Sequence, residues 1–167
     1  MPVNNTHKTL ILALGNEMVI DISMAPRLQD ELKVFLNNDA IEYNNAYVGG
    51  LEILDFIEGY SKVIILDTIR TKEQKPGRVH YFTVENFQET MHLSSFHDTR
   101  FHTTLEMGKQ LGMDIPTDIT IIAVEIVEDT TFSADLTPEM QACYPKIIKE
   151  VKDYIVRKKL FNKTKIE

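Results

Sequence analysis

Asp67 closes an unbroken apolar run, Val63-Ile64-Ile65-Leu66, inside the stretch S-K-V-I-I-L-D-T-I-R. A run this rich in β-branched residues reads as a strand buried on both faces. In open α/β sheets, ligands gather outside the carboxyl ends of such strands, so a carboxylate there is positioned for chemistry. Two further groups join it if the strands are parallel neighbours. Asp21 lies in the loop after the first apolar run, and His97 lies in a loop before a later helix. Two carboxylates and an imidazole on one sheet edge can hold a divalent metal, or a water and its base for hydrolysis. Each also has a structural use: Asp67 can cap a turn, Asp21 can cap the next helix, and His97 can be a surface loop residue. His80, on a strand that alternates between faces, is expected to be exposed and idle, and His92 and His102 are weaker candidate ligands.

Other chemistries lack their residues. The chain has no G-x-x-x-x-G-K-[ST] phosphate loop, and the segment after the first strand, A-L-G-N-E-M, lacks the glycines of a dinucleotide fingerprint. There is no G-x-S-x-G elbow and no H-E-x-x-H. Cys143 is the single cysteine, which excludes an intramolecular disulfide. It falls in a helical stretch without a nearby histidine and reads as a packed or half-buried thiol.

The elements that must position these groups follow from periodicity. Thr9 to Leu14 is a buried strand, and Gly15-Asn16 turns the chain. Met24, Leu28, Leu32, Phe35 and Leu36 recur at helical spacing, and Pro26 is tolerable only in the first turn, so this helix starts near Ser23. Ala40 to Tyr47 is a weaker strand, and Leu51, Leu54 and Ile57 mark a short helix closed near Gly59. The central strand then ends at Asp67. Arg78 to Val84 alternates as a half-exposed edge strand does, and the short loop before it suggests an antiparallel neighbour. Residues 85–99 show little periodicity. Phe101, Leu105, Met107 and Leu111 mark a helix closed by Gly112, and Asp118 to Val127 holds a further strong strand. Thr137 caps the last helix with Pro138 in its first turn, and Pro145 should kink it. The order β-α-β-α-β-β-α-β-α predicts a three-layer α/β/α sandwich: a mainly parallel five-stranded sheet with one antiparallel edge strand.

The chain has 167 residues, enough for one domain with a core spanning about residues 9–156. Its net charge of −7 argues against a nucleic-acid or anionic-membrane partner. No apolar run is long enough to span a bilayer, and the polar N-terminus does not resemble a signal peptide, so a cytoplasmic protein is expected.

The Ala13-Leu14-Gly15-Asn16 turn with Asp21 after it, the strand Ile64-Ile65-Leu66-Asp67-Thr68 and the segment Ser95-Phe96-His97, in this order and spacing, resemble the motifs of the endopeptidases that mature nickel–iron hydrogenases. That family clips a C-terminal extension from the hydrogenase large subunit after nickel insertion. Its G-[IV]-G-N turn, four-residue spacer and acidic pair appear as Ala13-Leu14-Gly15-Asn16, Glu17 to Ile20, then Asp21-Ile22. Its G-T-x-G segment before a leucine-rich helix appears as Tyr47-Val48-Gly49-Gly50 before Leu51-Glu52-Ile53-Leu54. The strand ending I-I-x-D-A is Ile64-Ile65-Leu66-Asp67-Thr68, followed by Pro76-Gly77. The S-x-H segment is Ser95-Phe96-His97, and the late acidic loop with G-L-[ST]-P is Glu128, then Asp135-Leu136-Thr137-Pro138.

The resemblance covers about residues 9–156 and implies a phosphorylase/hydrolase-like fold. It also implies a hydrogenase large-subunit precursor as substrate, with nickel presented by the precursor's own cysteine thiolates. The family's nickel-binding residues map onto Asp67, His97 and the second acid of the pair. That second acid is Ile22 here, which cannot bind a metal. Asp21, one residue away, or Glu17 in the same loop is then the candidate third ligand. The expectation is an endopeptidase acting as a monomer through Asp67, His97 and Asp21. The alternative is a non-catalytic maturation accessory that binds its partner without cutting it.

Overall fold

The computed structural model describes residues 8–89, 93–95 and 101–160. Strand β1 (Thr9–Leu14) leads through a short 3-10 turn (Asp21–Ser23) into helix α1 (Met24–Leu36) and strand β2 (Ile41–Ala46). Helix α2 (Glu52–Ile57) connects to the long strand β3 (Lys62–Thr71), which is followed by β4 (Val79–Thr83), α3 (Val84–Glu89) and the short β5 (Leu93–Ser95). Helix α4 (Phe101–Gln110), strand β6 (Asp118–Glu125) and helix α5 (Pro138–Arg157) complete the described chain.

The sheet runs β2-β1-β3-β6-β4, and β5 pairs with the far part of β3. Strands β2, β1, β3 and β6 are mutually parallel, and β4 lies antiparallel on β6 at the edge. The expected five-stranded mixed sheet is therefore present, with β5 as a small addition. Alternation of side chains along the strands separates two apolar layers. Ile11, Ala13, Ile64, Leu66, Ile122 and Val124 face α1 and α5. Leu10, Leu12, Val63, Ile65, Ile119 and Ile121 face α2 and α4. The central strands need apolar residues on both faces because helices cover both, while β2 and β4, at the edges, carry partly exposed residues.

From β1 the chain first adds β2 on one side, then crosses to add β3 on the other. The direction of winding thus reverses between β1 and β3, creating a crevice at the carboxyl ends of those two strands. Gly15 leaves β1 there because nothing larger fits: a Cβ would lie 2.6 Å from the Ile22 carbonyl oxygen and 2.8 Å from Pro26 Cδ.

Three details differ from the sequence reading. Strand β3 does not stop at Asp67 but continues to Thr71, because β6 and β5 supply hydrogen-bonding partners on its two sides. The edge strand β4 is antiparallel as expected, but to β6 and not to its sequence predecessor β3. The loop between β3 and β4 crosses the end of β6, where Gly77 N donates to the Glu125 carbonyl at 2.7 Å. The weakly periodic stretch after β4 contains α3 and β5, both too short to show a period. Pro145 lies inside one continuous helix of 20 residues, where it removes the backbone donor that would meet the Gln141 carbonyl. Thr137 caps that helix, its side chain accepting from Met140 N at 3.4 Å.

Candidate active site

Asp67 sits at the switch point. On the β1 side of β3, pairing with β1 ends at Ala13↔Leu66, and pairing with β5 begins at Ile69↔Ser95. Asp67 and Thr68 occupy the break between those two partners. On the other side, Asp67 pairs with Ala123 of β6. By strand alternation, Asp67 shares the face of Val63 and Ile65, toward α2 and α4. The residue is only 4% exposed, and its Oδ1 accepts the Thr68 amide at 2.8 Å. Thr68 is 2% exposed, and its hydroxyl has no hydrogen-bond partner.

Asp21 occupies a different environment. It is wholly buried, and its carboxylate is surrounded by donors from the other end of the chain. Oδ1 accepts the Thr137 amide at 2.8 Å, and Oδ2 accepts the amides of Val127 at 3.2 Å and Glu128 at 3.0 Å. The Thr137 hydroxyl lies 3.0 Å from both oxygens. Asp21 thus ties the turn after β1 to the loop after β6 and to the cap of α5. It does not cap α1, whose N-cap is Ser23. With four donors on its two oxygens, it acts as a structural cross-link.

The same loop pair is joined by backbone bonds: Ile20 N to Thr131 O at 3.0 Å and Ser133 N to Met18 O at 3.0 Å. Glu128 anchors the later loop. The Thr130 amide and hydroxyl, the Thr131 hydroxyl and the Asp129 amide hold its carboxyl down at about 2. Ile22 is 1% exposed and belongs to the apolar layer under α1 and α5, while Glu17 is exposed.

His97 and His92 lie outside the described residues. Strand β5 runs antiparallel to β3, so the chain direction at Ser95 is from the Thr71 end toward the Asp67 end. Among the described residues, no three metal-ligating side chains converge. Cys143 is half-buried as expected, its Sγ 3.8 Å from the Pro76 carbonyl oxygen.

Glu125 did not stand out in the sequence, because it ends an apolar strand with no motif around it. It is 1% exposed. Its Oε1 accepts the Lys75 amide at 2.8 Å and the Thr71 hydroxyl, and its Oε2 lies 3.3 Å from His80 Nε2. Burial pushes this carboxyl up, but the Thr71, Lys75 and His80 hydrogen bonds outweigh it and hold Glu125 below the ordinary range. His80, expected to be exposed and idle, has a side chain only 16% exposed and is paired with this carboxylate. An alternating strand reveals which positions share a face but not what packs over them.

The comparisons with known proteins bear on this site. A family model described as hydrogenase maturation protease matches residues 26–154. Among solved structures, the hydrogenase-maturating endopeptidase HybD from E. coli matches with a TM-score of 0.69 at 20% identity, over 90% of this chain and 93% of that one. The [NiFe] hydrogenase maturation protease HybD from Thermococcus kodakarensis matches with a TM-score of 0.61 at 23% identity, over 88% of this chain and 98% of that one. A hydrogenase 2 maturation peptidase from a Thaumarchaeota archaeon gives 0.58 at 22% identity, covering 89% and 97%. No curated protein matches in sequence.

Proposed function

This chain belongs to the hydrogenase maturation protease family, and from that premise we propose that it removes the C-terminal extension of a nickel–iron hydrogenase large-subunit precursor after nickel insertion. The observation that carries this reading is Asp67, a buried carboxylate in the break between β1 and β5 at the switch point of the sheet. Nickel belongs to the substrate, held by the precursor's thiolates. Asp67 offers it an oxygen and His97 an imidazole, a ligand type that suits nickel. Metal contact then fixes the register of the precursor, so that the scissile bond meets an activated water. The strand direction at Ser95, two residues before His97 in the sequence, supports their joint use.

Asp21 is left out of the ligand set because breaking its four hydrogen bonds would unfasten the cap of α5. This protein therefore contributes two ligands where its resemblance implied three, and the precursor supplies the remainder. The protein acts as a monomer in the cytoplasm. Among the described residues, no helix is long and apolar enough to cross a membrane.

A second reading is favoured by Ile22, an apolar residue 1% exposed where the family motif carries an acid. On that reading the protein binds the precursor without cutting it. Titration with nickel or cadmium tests the common element of both. Metal should bind the native chain and lose at least about tenfold in affinity, about 1.4 kcal/mol, in Asp67→Asn. Equal affinity of the two proteins would remove Asp67 from the site.

A further inference from the structure

The register of the sheet puts three residues in one row across it. Asp67 pairs with Ala123, and Ala123 pairs with His80. Directly paired residues share a face, so the side chains of Asp67, Ala123 and His80 all lie on the side of α2 and α4. Two strand spacings separate Asp67 from His80, about 10 Å between backbones. The middle position carries only a methyl group.

His80 is fixed at its end of the row. Its ring stacks on Phe82, two residues along β4, with centroids 5.9 Å apart and planes 9° from parallel. Its Nε2 lies 3.3 Å from Glu125 Oε2. An ionised carboxylate can only accept, so Nε2 carries the hydrogen. Nδ1 of the neutral ring then bears the lone pair. Glu125 is itself fixed, its other oxygen taking the Lys75 amide and the Thr71 hydroxyl. Within the crossing loop, Glu73 pairs with Lys75 at 3.0 Å and with Arg78 at 2.8 Å. Among the described residues, Glu125 on β6 is thus the charged group hydrogen-bonded to the ring, and Asp67 on β3 shares its face.

We propose that His80 is the proton-transfer residue of the peptidase reaction, held in position by Glu125 and lying on the same face of the sheet as Asp67. The inference rests on the endopeptidase reading above. His80 Nδ1 takes a proton from the water as its oxygen bonds to the scissile carbonyl carbon. Glu125 stabilises the resulting imidazolium. The same proton passes to the leaving nitrogen as the carbon–nitrogen bond breaks, which returns the ring to its neutral form. One water is consumed, and no other reactant is needed. Asp67 engages the nickel of the precursor.

The test is single-turnover cleavage of a nickel-loaded hydrogenase large-subunit precursor that carries its C-terminal extension. His80→Gln keeps a donor toward Glu125 but cannot shuttle a proton. The cleavage rate should fall about 10²- to 10⁴-fold, with nickel affinity unchanged from the native protein. The native rate should also decline as pH drops through the histidine range, and in Glu125→Gln that decline should move to lower pH, because an amide no longer stabilises the imidazolium. A role limited to anchoring the loop would not move that limb. A His80→Gln protein that cuts as fast as the native one overturns the inference alone. A native rate flat from about pH 5 to 8 overturns it too, even if the variant does not fold. A native protein that leaves the loaded precursor uncut overturns the endopeptidase reading as well.

Discussion

Asp21 and Asp67 are the same residue type, both buried, and they differ in what meets the carboxylate. Asp21 meets four donors drawn from positions more than a hundred residues away. Replacing it with Asn turns two well-placed acceptors into one and aims an amide donor at backbone N–H groups. Asp21→Asn should cost about 3 kcal/mol of stability by chemical denaturation, with nickel affinity of the folded fraction unchanged. The sequence exposed both aspartates but could not separate them, because spacing along the chain does not reveal partners 106 to 116 residues away. Thr68 supports a smaller prediction. Its hydroxyl is buried without a partner, so the isosteric Thr68→Val should stabilise the fold by about 1 kcal/mol in the same denaturation measurement. His80 reads as exposed and idle in the sequence for a related reason: alternation gives its face, but the Glu125 that engages it lies on another strand 45 residues away.

At the scale of elements, the turn between β1 and α1 is the tightest piece of the site. Gly15→Ala pushes a methyl into the Ile22 carbonyl oxygen and the Pro26 ring. Backbone has to move, so the substitution should cost about 2 kcal/mol and lower nickel affinity by displacing the turn beside Asp67. The loop after β6 depends on Glu128, whose carboxyl is held at about 2 against an ordinary 4.5. A depressed folded value means that this contribution is fully present above the ordinary value and is lost as pH falls through about 2. Glu125 is shifted in the same direction, so the β3–β4 crossing loop should loosen on the same side of the titration. NMR shifts of the Thr130 and Lys75 amides between pH ~5 and ~2 should report both losses before global unfolding. The element order was readable because β1, β3 and β6 are continuous apolar runs and α1 and α5 keep a helical period. The length of β3 was not, since residues 68–71 become strand only through partners on β5 and β6.

For the molecule as a whole, the two apolar layers hold the sheet rigid, and the order β2-β1-β3-β6-β4 decides where chemistry can happen. A single reversal of winding, between β1 and β3, brings the turn after β1, the Asp67 position of β3 and the end of β5 to one edge. The alternation of strands and helices predicted the three layers. It could not predict that β6 would enter between β3 and β4, because sequence neighbours with a short loop ordinarily pair. That insertion is what puts Ala123 between Asp67 and His80. The central claim, that the edge serves a nickel-directed endopeptidase, is tested most directly by mass spectrometry of a hydrogenase large-subunit precursor incubated with this protein. The nickel-loaded precursor should lose its C-terminal extension, while the nickel-free precursor, or the loaded one given Asp67→Asn, should stay intact. A loaded precursor left whole by the native protein, or cut equally well by Asp67→Asn, would contradict the account.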